Sequence, residues 1–143
     1  MSRYEMAFRT VDGTAAVANT ELRSTSTDRP RLMEMGLWNV TAVAGVVGLG
    51  VPAAIGITPS GTAVKVLSEE PVDPLGTTIY ATAWTTAPTA PTAFYRRFEH
   101  MAQVGYAVLL AFPRGITIAL NSSLVYWNIA TAPLFDAYTV VDE

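Results

Sequence analysis

The side chains in this sequence with the greatest chemical capacity are few and scattered. The single histidine, His100, has Glu99 beside it. A triad or a metal site needs several convergent side chains, and there is no second histidine to contribute one. His100 therefore reads as a surface histidine rather than as a catalytic or metal-binding group. Glu69, Glu70 and Asp73 carry carboxylates of the kind that hold calcium. Interleaved with Pro71 and Pro74, they read more simply as a solvated loop. No Gly-rich phosphate loop, nucleophile elbow or paired-carboxylate signature occurs, and no acid, base and nucleophile set can be assembled. The residues predict no catalysis, no cofactor and no metal.

The paired arginines in "FYRRF" (94–98) say more. On an extended chain Phe94, Arg96 and Phe98 share one face while Tyr95, Arg97 and Glu99 share the other, so neither arginine sits on a purely polar side. Arginine and aromatic residues are enriched where proteins meet, which makes Tyr95, Arg96, Arg97 and Phe98 candidates for a subunit or lattice interface. The alternative is an intramolecular pair between an arginine and a carboxylate such as Glu34 or Asp136.

Composition bounds the rest. A chain of 143 residues, 50% of them hydrophobic, is long enough for one domain with its own core. Without cysteine it has neither a disulfide framework nor a thiolate metal site. The net charge of −3 and the lack of a basic tract argue against nucleic-acid binding. The charged start "MSRYEMAFRTVDG" is unlike a secretory signal, so the two Asn-x-Ser/Thr triplets at 39–41 and 121–123 read as chance matches to the glycosylation pattern. No charge falls between Met35 and Val64, which invites a transmembrane reading. The glycines, Pro52 and the absence of flanking basic anchors favour buried strands and a turn instead.

The elements that must position these residues are strands. Tyr4, Met6 and Phe8 alternate with Arg3, Glu5 and Arg9, which predicts a half-buried strand. A weaker strand is expected over Ala15–Leu22, and another over Arg31–Val40 with both faces covered, since Met33, Met35 and Leu37 oppose Leu32, Trp38 and Val40. Further strands are expected over Val46–Ile57, Ala63–Leu67 and Thr77–Trp84, with a turn at 58–61. "FYRRF" is a strand, and "FEHMAQ" suits one helical turn. In the C-terminal third, "YAVLLAF", "ITIAL", "LVYWNIA" and "LFDAYTVV" are separated by "PRG", "NSS" and "TAP", which predicts an antiparallel meander of hairpins. Nine to ten short strands and no long helix indicate an all-β, single-domain antiparallel β-sandwich, as a jelly roll, over residues 1–143. The Thr-Ala-Pro tract at 85–93 is then an internal loop and not a linker, because each flank holds only half of a sandwich's strands. A rim loop between sheets and a partner-contacting arm are its two readings.

The motifs "ELRSTSTDRPRLMEMGLW", "EEPVDP", "TAWTTAPTAPTAFYRR", "AFPRGITI", "SSLVYWN" and "DAYTVVDE" resemble small virion proteins of tailed bacteriophages and prophages, of jelly-roll type, such as capsid decoration proteins. The resemblance covers nearly the whole chain and carries no catalytic motif. It implies a structural virion protein made in the host cytoplasm and placed on the capsid surface. Such a protein forms a homo-oligomer, a trimer, and binds the lattice of the major capsid protein without contacting nucleic acid or membrane. The alternative function is a tail or fibre module that recognises a cell-surface glycan. Exposed aromatics on one face would favour the glycan, and a broad apolar patch the lattice.

Overall fold

The computed structural model describes residues 2–10, 13–59, 64–70 and 75–143. Its strands are β1 (Arg3–Arg9), β2 (Val17–Arg23), β3 (Arg31–Asn39), β4 (Gly45–Gly50), β5 (Val64–Lys65), β6 (Leu67–Ser68), β7 (Ile79–Ala81), β8 (Phe94–His100), β9 (Ala107–Thr117), β10 (Ser123–Asn128) and β11 (Phe135–Asp142). Among the described residues there is no helix, and so none long and apolar enough to cross a membrane. One sheet has the order β6-β1-β11-β3-β9 and the other β5-β7-β2-β10-β4-β8, with every pair antiparallel.

Setting aside the short β5, β6 and β7, the long strands give β1-β11-β3-β9 against β2-β10-β4-β8. Successive long strands change sheet at each step except from β4 to β8, which pair directly. This is the jelly-roll wiring, two interlocked Greek keys. Both sheets draw strands from either side of residues 85–93.

Alternation explains the core. Tyr4, Met6 and Phe8 of β1 point inward and Arg3, Glu5 and Arg9 outward, as the period of two requires. At one end Tyr4, Leu22, Leu32, Leu49, Tyr80, Phe112 and Leu124 interlock; at the other, Met35, Leu37, Val47, Tyr126 and Phe135 do so. Each such side chain contributes about 1.5–3 kcal/mol when fully buried.

Several elements depart from the sequence reading. The C-terminal third is not a meander: β9 and β11 lie in one sheet and β10 in the other. Segments 118–122 and 129–134 cross between sheets instead of folding back, because sheets roughly 10 Å apart can be bridged by a few residues. "PRG" does not end a strand. Pro113, Arg114 and Gly115 form a bulge within β9, with Ala111 opposite Glu34 and Ile116 opposite Leu32. Gly115 has φ of +65°, and proline is tolerated there because the strand lies at a sheet edge. β3 itself carries one residue more than β11 there, with Val141 opposite Leu32 and Val140 opposite Glu34, which brings Leu32 and Met35 to one face and leaves Trp38 40% exposed on the other, so β3 is not covered on both faces. β4 stops at Gly50, before Pro52, and "FEH" is strand rather than helix. The turn at 58–61, Ala63, and Pro71–Pro74 including Asp73 extend beyond the described residues.

Candidate functional site

β8 and β9 are edge strands, each with one sheet partner. Their edges face each other. The Arg96 guanidinium carbon stands 5.7 Å from the centre of the Phe112 ring, within cation–π reach. Tyr95 and Arg96 from β8 and Phe112, Arg114 and Ile116 from β9 line one open hollow of about 420 Å³. A pairing irregularity between Leu49 and Gly50 sets the β8 side chains. It turns Phe94 outward over Gly48, where a side chain would collide with the ring. Phe94 and Arg96 therefore lie on opposite faces, not on one as strict alternation predicts. Tyr95 is 49% exposed, and Arg96 donates from Nη1 to the Tyr95 carbonyl at 2.8 Å.

The structure thus divides the predicted interface residues. Tyr95 and Arg96 share the edge hollow. Arg97 sits exposed opposite Gly48. Phe98 turns inward, with its ring 6.1 Å from Tyr126 and 5.3 Å from His100. The alternative pairing of an arginine of this segment with Glu34 or Asp136 does not form. Asp136 is held by Arg9 at 2.6 Å, and Glu34 accepts the Tyr138 hydroxyl.

Charge is distributed unevenly. Arg3 pairs with Asp142, Arg9 with Asp136 and Arg23 with Glu21. Among the described residues Arg29, Arg31, Arg96, Arg97 and Arg114 form no ion pair. Gly115 lies against Arg31, which extends the basic character of the edge along β3. On the outer face of the five-stranded sheet, Glu5, Glu34 and Glu69 line a separate hollow of about 350 Å³. Burial, and then the Glu34 carboxylate, push the Tyr138 hydroxyl up to about 12.

The two outer faces also differ. Loops cover that of the six-stranded sheet. Trp84, Phe94 and Ile129 pack on Ala18, Val125 and Trp127. Pro91 approaches Gly50, and Trp84 and Pro88 approach Gly56, so closely that a Cβ at either glycine would clash. The Thr-Ala-Pro tract is thereby drawn against the end of β4 and residues 54–57, while Trp84 and Phe94, which flank it, lie over β10. This double covering is why all six residues of β10 are buried. The five-stranded sheet leaves Trp38 and Leu109 exposed on its outer face, among the described residues. Its register sets Arg9, Asp136, Trp38 and Ala107 in one row, Ala7, Tyr138, Gly36 and Leu109 in the next, and Glu5, Val140, Glu34 and Ala111 in a third. Trp38 and Tyr138 lie 5.5 Å apart, tilted by 31°. Both rings reach over Gly36, where a side chain would displace them. Leu109 beside them is 61% exposed.

Two buried polar centres were not anticipated. Glu21, fully buried, accepts from Arg23 at 2.7 Å and 2.9 Å, from Ser123 Oγ at 2.7 Å, from Trp84 Nε1 at 2.9 Å and from the Gly56 amide at 3.1 Å. It pins both covering loops to β2 and β10. The available signal was Glu21 and Arg23 two apart on one strand face. His100 is likewise buried, not on the surface. Asn39 Nδ2 donates to the Met101 carbonyl, which leaves its Oδ1 to accept Nδ1–H of His100 at 2.8 Å, while Tyr126 OH lies 3.4 Å from Nε2. Desolvation lowers the histidine to about 4. Asn39, one of the two triplet asparagines, is buried in the same network. Glu69 and Glu70 are exposed, and no cluster of metal-binding side chains occurs among the described residues. Comparison with protein-family models, curated proteins and solved structures finds no match.

Proposed function

We propose that the chain is a structural virion protein, a capsid decoration protein that self-associates as a trimer and docks on the lattice of the major capsid protein. The observation that carries this reading is the asymmetry of the sandwich. One outer face is covered over β2 and β10 by Trp84, Phe94 and Ile129, and the other leaves Trp38 and Leu109 exposed. A contiguous apolar surface of this kind is covered by a partner in most proteins that keep one. The jelly-roll wiring and the motif resemblance to phage virion proteins support the same reading. Co-sedimentation with purified capsids tests it: Leu109→Asp should reduce capsid-bound protein by about tenfold or more. Binding to tails in place of capsids, or unchanged retention of the variant, overturns it.

The Trp38–Tyr138 pair favours a second reading, a glycan-binding tail or fibre module. Two rings lying flat on a sheet offer faces to the apolar side of a sugar, and the neighbouring Arg9–Asp136 pair offers hydrogen-bond partners for hydroxyls. Saturable quenching of tryptophan fluorescence by host oligosaccharides, lost in Trp38→Ala, would replace the lattice reading with this one.

A further inference from the structure

We propose that copies of the chain join head to tail, the arginine edge of one copy, Arg96 and Arg114, entering the glutamate hollow of the next, formed by Glu5, Glu34 and Glu69. The inference rests on the reading that the protein self-associates, and it names the two surfaces that meet.

Charge complementarity carries it. Arg96 and Arg114 project into one hollow and form no ion pair among the described residues. The glutamate hollow contains one cation, Arg3, which Asp142 already engages at 3.0 Å. Among the described residues, the Tyr138 hydroxyl at Glu34 is the only side-chain donor to these three carboxylates, and Glu5 and Glu69 are exposed. A guanidinium offers a planar fork that fits a carboxylate with two parallel hydrogen bonds. Phe112 and Ile116 beside the arginines, and Ala111 and Val140 beside the glutamates, give both hollows apolar parts to bury around the charges. The chain's net charge is −3, so two copies repel at long range and contact requires a local match of opposite sign.

The topology decides between ways of joining. Edge-to-edge strand pairing, the usual route to a two-fold dimer of sandwiches, is hindered on β9 by Pro113 and the bulge at Gly115. A contact between unlike surfaces is heterologous and closes as a ring when its rotation allows. Phe112 and Pro113 line both hollows. The two contact surfaces of each copy thus flank one stretch of β9, which places that stretch beside the ring axis and favours a small ring such as the trimer.

The test is size exclusion with light scattering on the full chain and three charge variants. One carries Arg96→Glu and Arg114→Glu, the second Glu5→Arg and Glu69→Arg, and the third all four changes. Each one-sided reversal should weaken association by about thirtyfold or more, and the four-fold swap should restore it. A parent that is monomeric at high micromolar concentration, or a folded swap variant that stays monomeric, overturns the proposal. Should the swap fail to fold, cysteine pairing decides, since the chain has no cysteine of its own. A mixture of Glu69→Cys and Arg114→Cys chains should form disulfide dimers under mild oxidation that neither forms alone, and their absence overturns the proposal. If edge reversal abolishes capsid binding while assembly persists, the lattice reading stands and this one fails. If the swap restores a ring that ignores capsids, the reverse holds.

Discussion

At the scale of single residues, the two buried polar centres govern how stability responds to pH and mutation. His100 holds its neutral form in a pocket of Phe98, Tyr106, Tyr126 and Phe135, with Asn39 fixing the Nδ1–H tautomer. Because its folded pKa is lowered from 6.5 to about 4, the unfolded chain binds the proton first as pH falls. The stabilisation is complete above 6.5 and is lost progressively as pH drops toward about 4, by about 3 kcal/mol in total. The Asp136 carboxyl, held below 3.8 by the hydrogen bond from Arg9, titrates beneath this window. Thermal melts of the parent and His100→Gln between pH 7 and pH 4.5 should therefore show a steep acid limb only in the parent; equal slopes would contradict the assignment. Glu21 makes a different prediction. Glu21→Ala leaves the Arg23 guanidinium buried without its carboxylate and the Trp84 indole N–H without its acceptor, and should cost about 3–5 kcal/mol in denaturant unfolding. Removing both charges, as Glu21→Met with Arg23→Met, should cost less than Glu21→Ala alone.

At the scale of elements, residues 85–93 act as a cover as much as a connection. They bridge to Ile57 through Thr86, accept and donate at Ala54 through Thr89, and pack Pro88 and Pro91 into gaps left by Gly56 and Gly50. Cutting the tract to a two-residue connection should expose Trp127 and Val125, lower the melting temperature and red-shift tryptophan emission. A parent-like melt would show that the tract has no part in holding the fold. β9 protects its free edge by other means. Its Gly115 has φ of +65°, so Gly115→Val should cost about 1–3 kcal/mol through backbone strain alone, measurable by chemical denaturation.

At the scale of the molecule, β11 holds the central place in the five-stranded sheet. β11 pairs with β1 along its length and with β3 on its other side, and Phe135 and Val141 of β11 are fully buried. The five-stranded sheet cannot close without β11 between β1 and β3, so a chain ending at Pro133 should show no cooperative unfolding transition by circular dichroism. A truncated chain that still melts cooperatively would mean that β1 and β3 can pair without it.

What the sequence by itself determined was the strand character of most segments and the sandwich they imply. Period-two alternation and spaced turn residues act locally, so Tyr4, Met6 and Phe8 could be assigned to an inward face from their spacing alone. The same reasoning marked Tyr95, Arg96, Arg97 and Phe98 together, and only the fold separates Tyr95 and Arg96 in the edge hollow from the exposed Arg97 and the inward Phe98. Tertiary structure alone decided where a strand goes after its turn. A break of a few residues serves a hairpin and a crossing between sheets equally well, which is why the C-terminal strands read as a meander. It alone decided the bulges in β8 and β3, because an extra residue in one strand depends on the partner strand's register and inverts the face assignments beyond it. The burial of His100 and Glu21 was hidden for a similar reason. Their hydrogen-bond partners, Asn39, Tyr126, Trp84 and Ser123, are distant in sequence and converge only when the two sheets and their covering loops are in place.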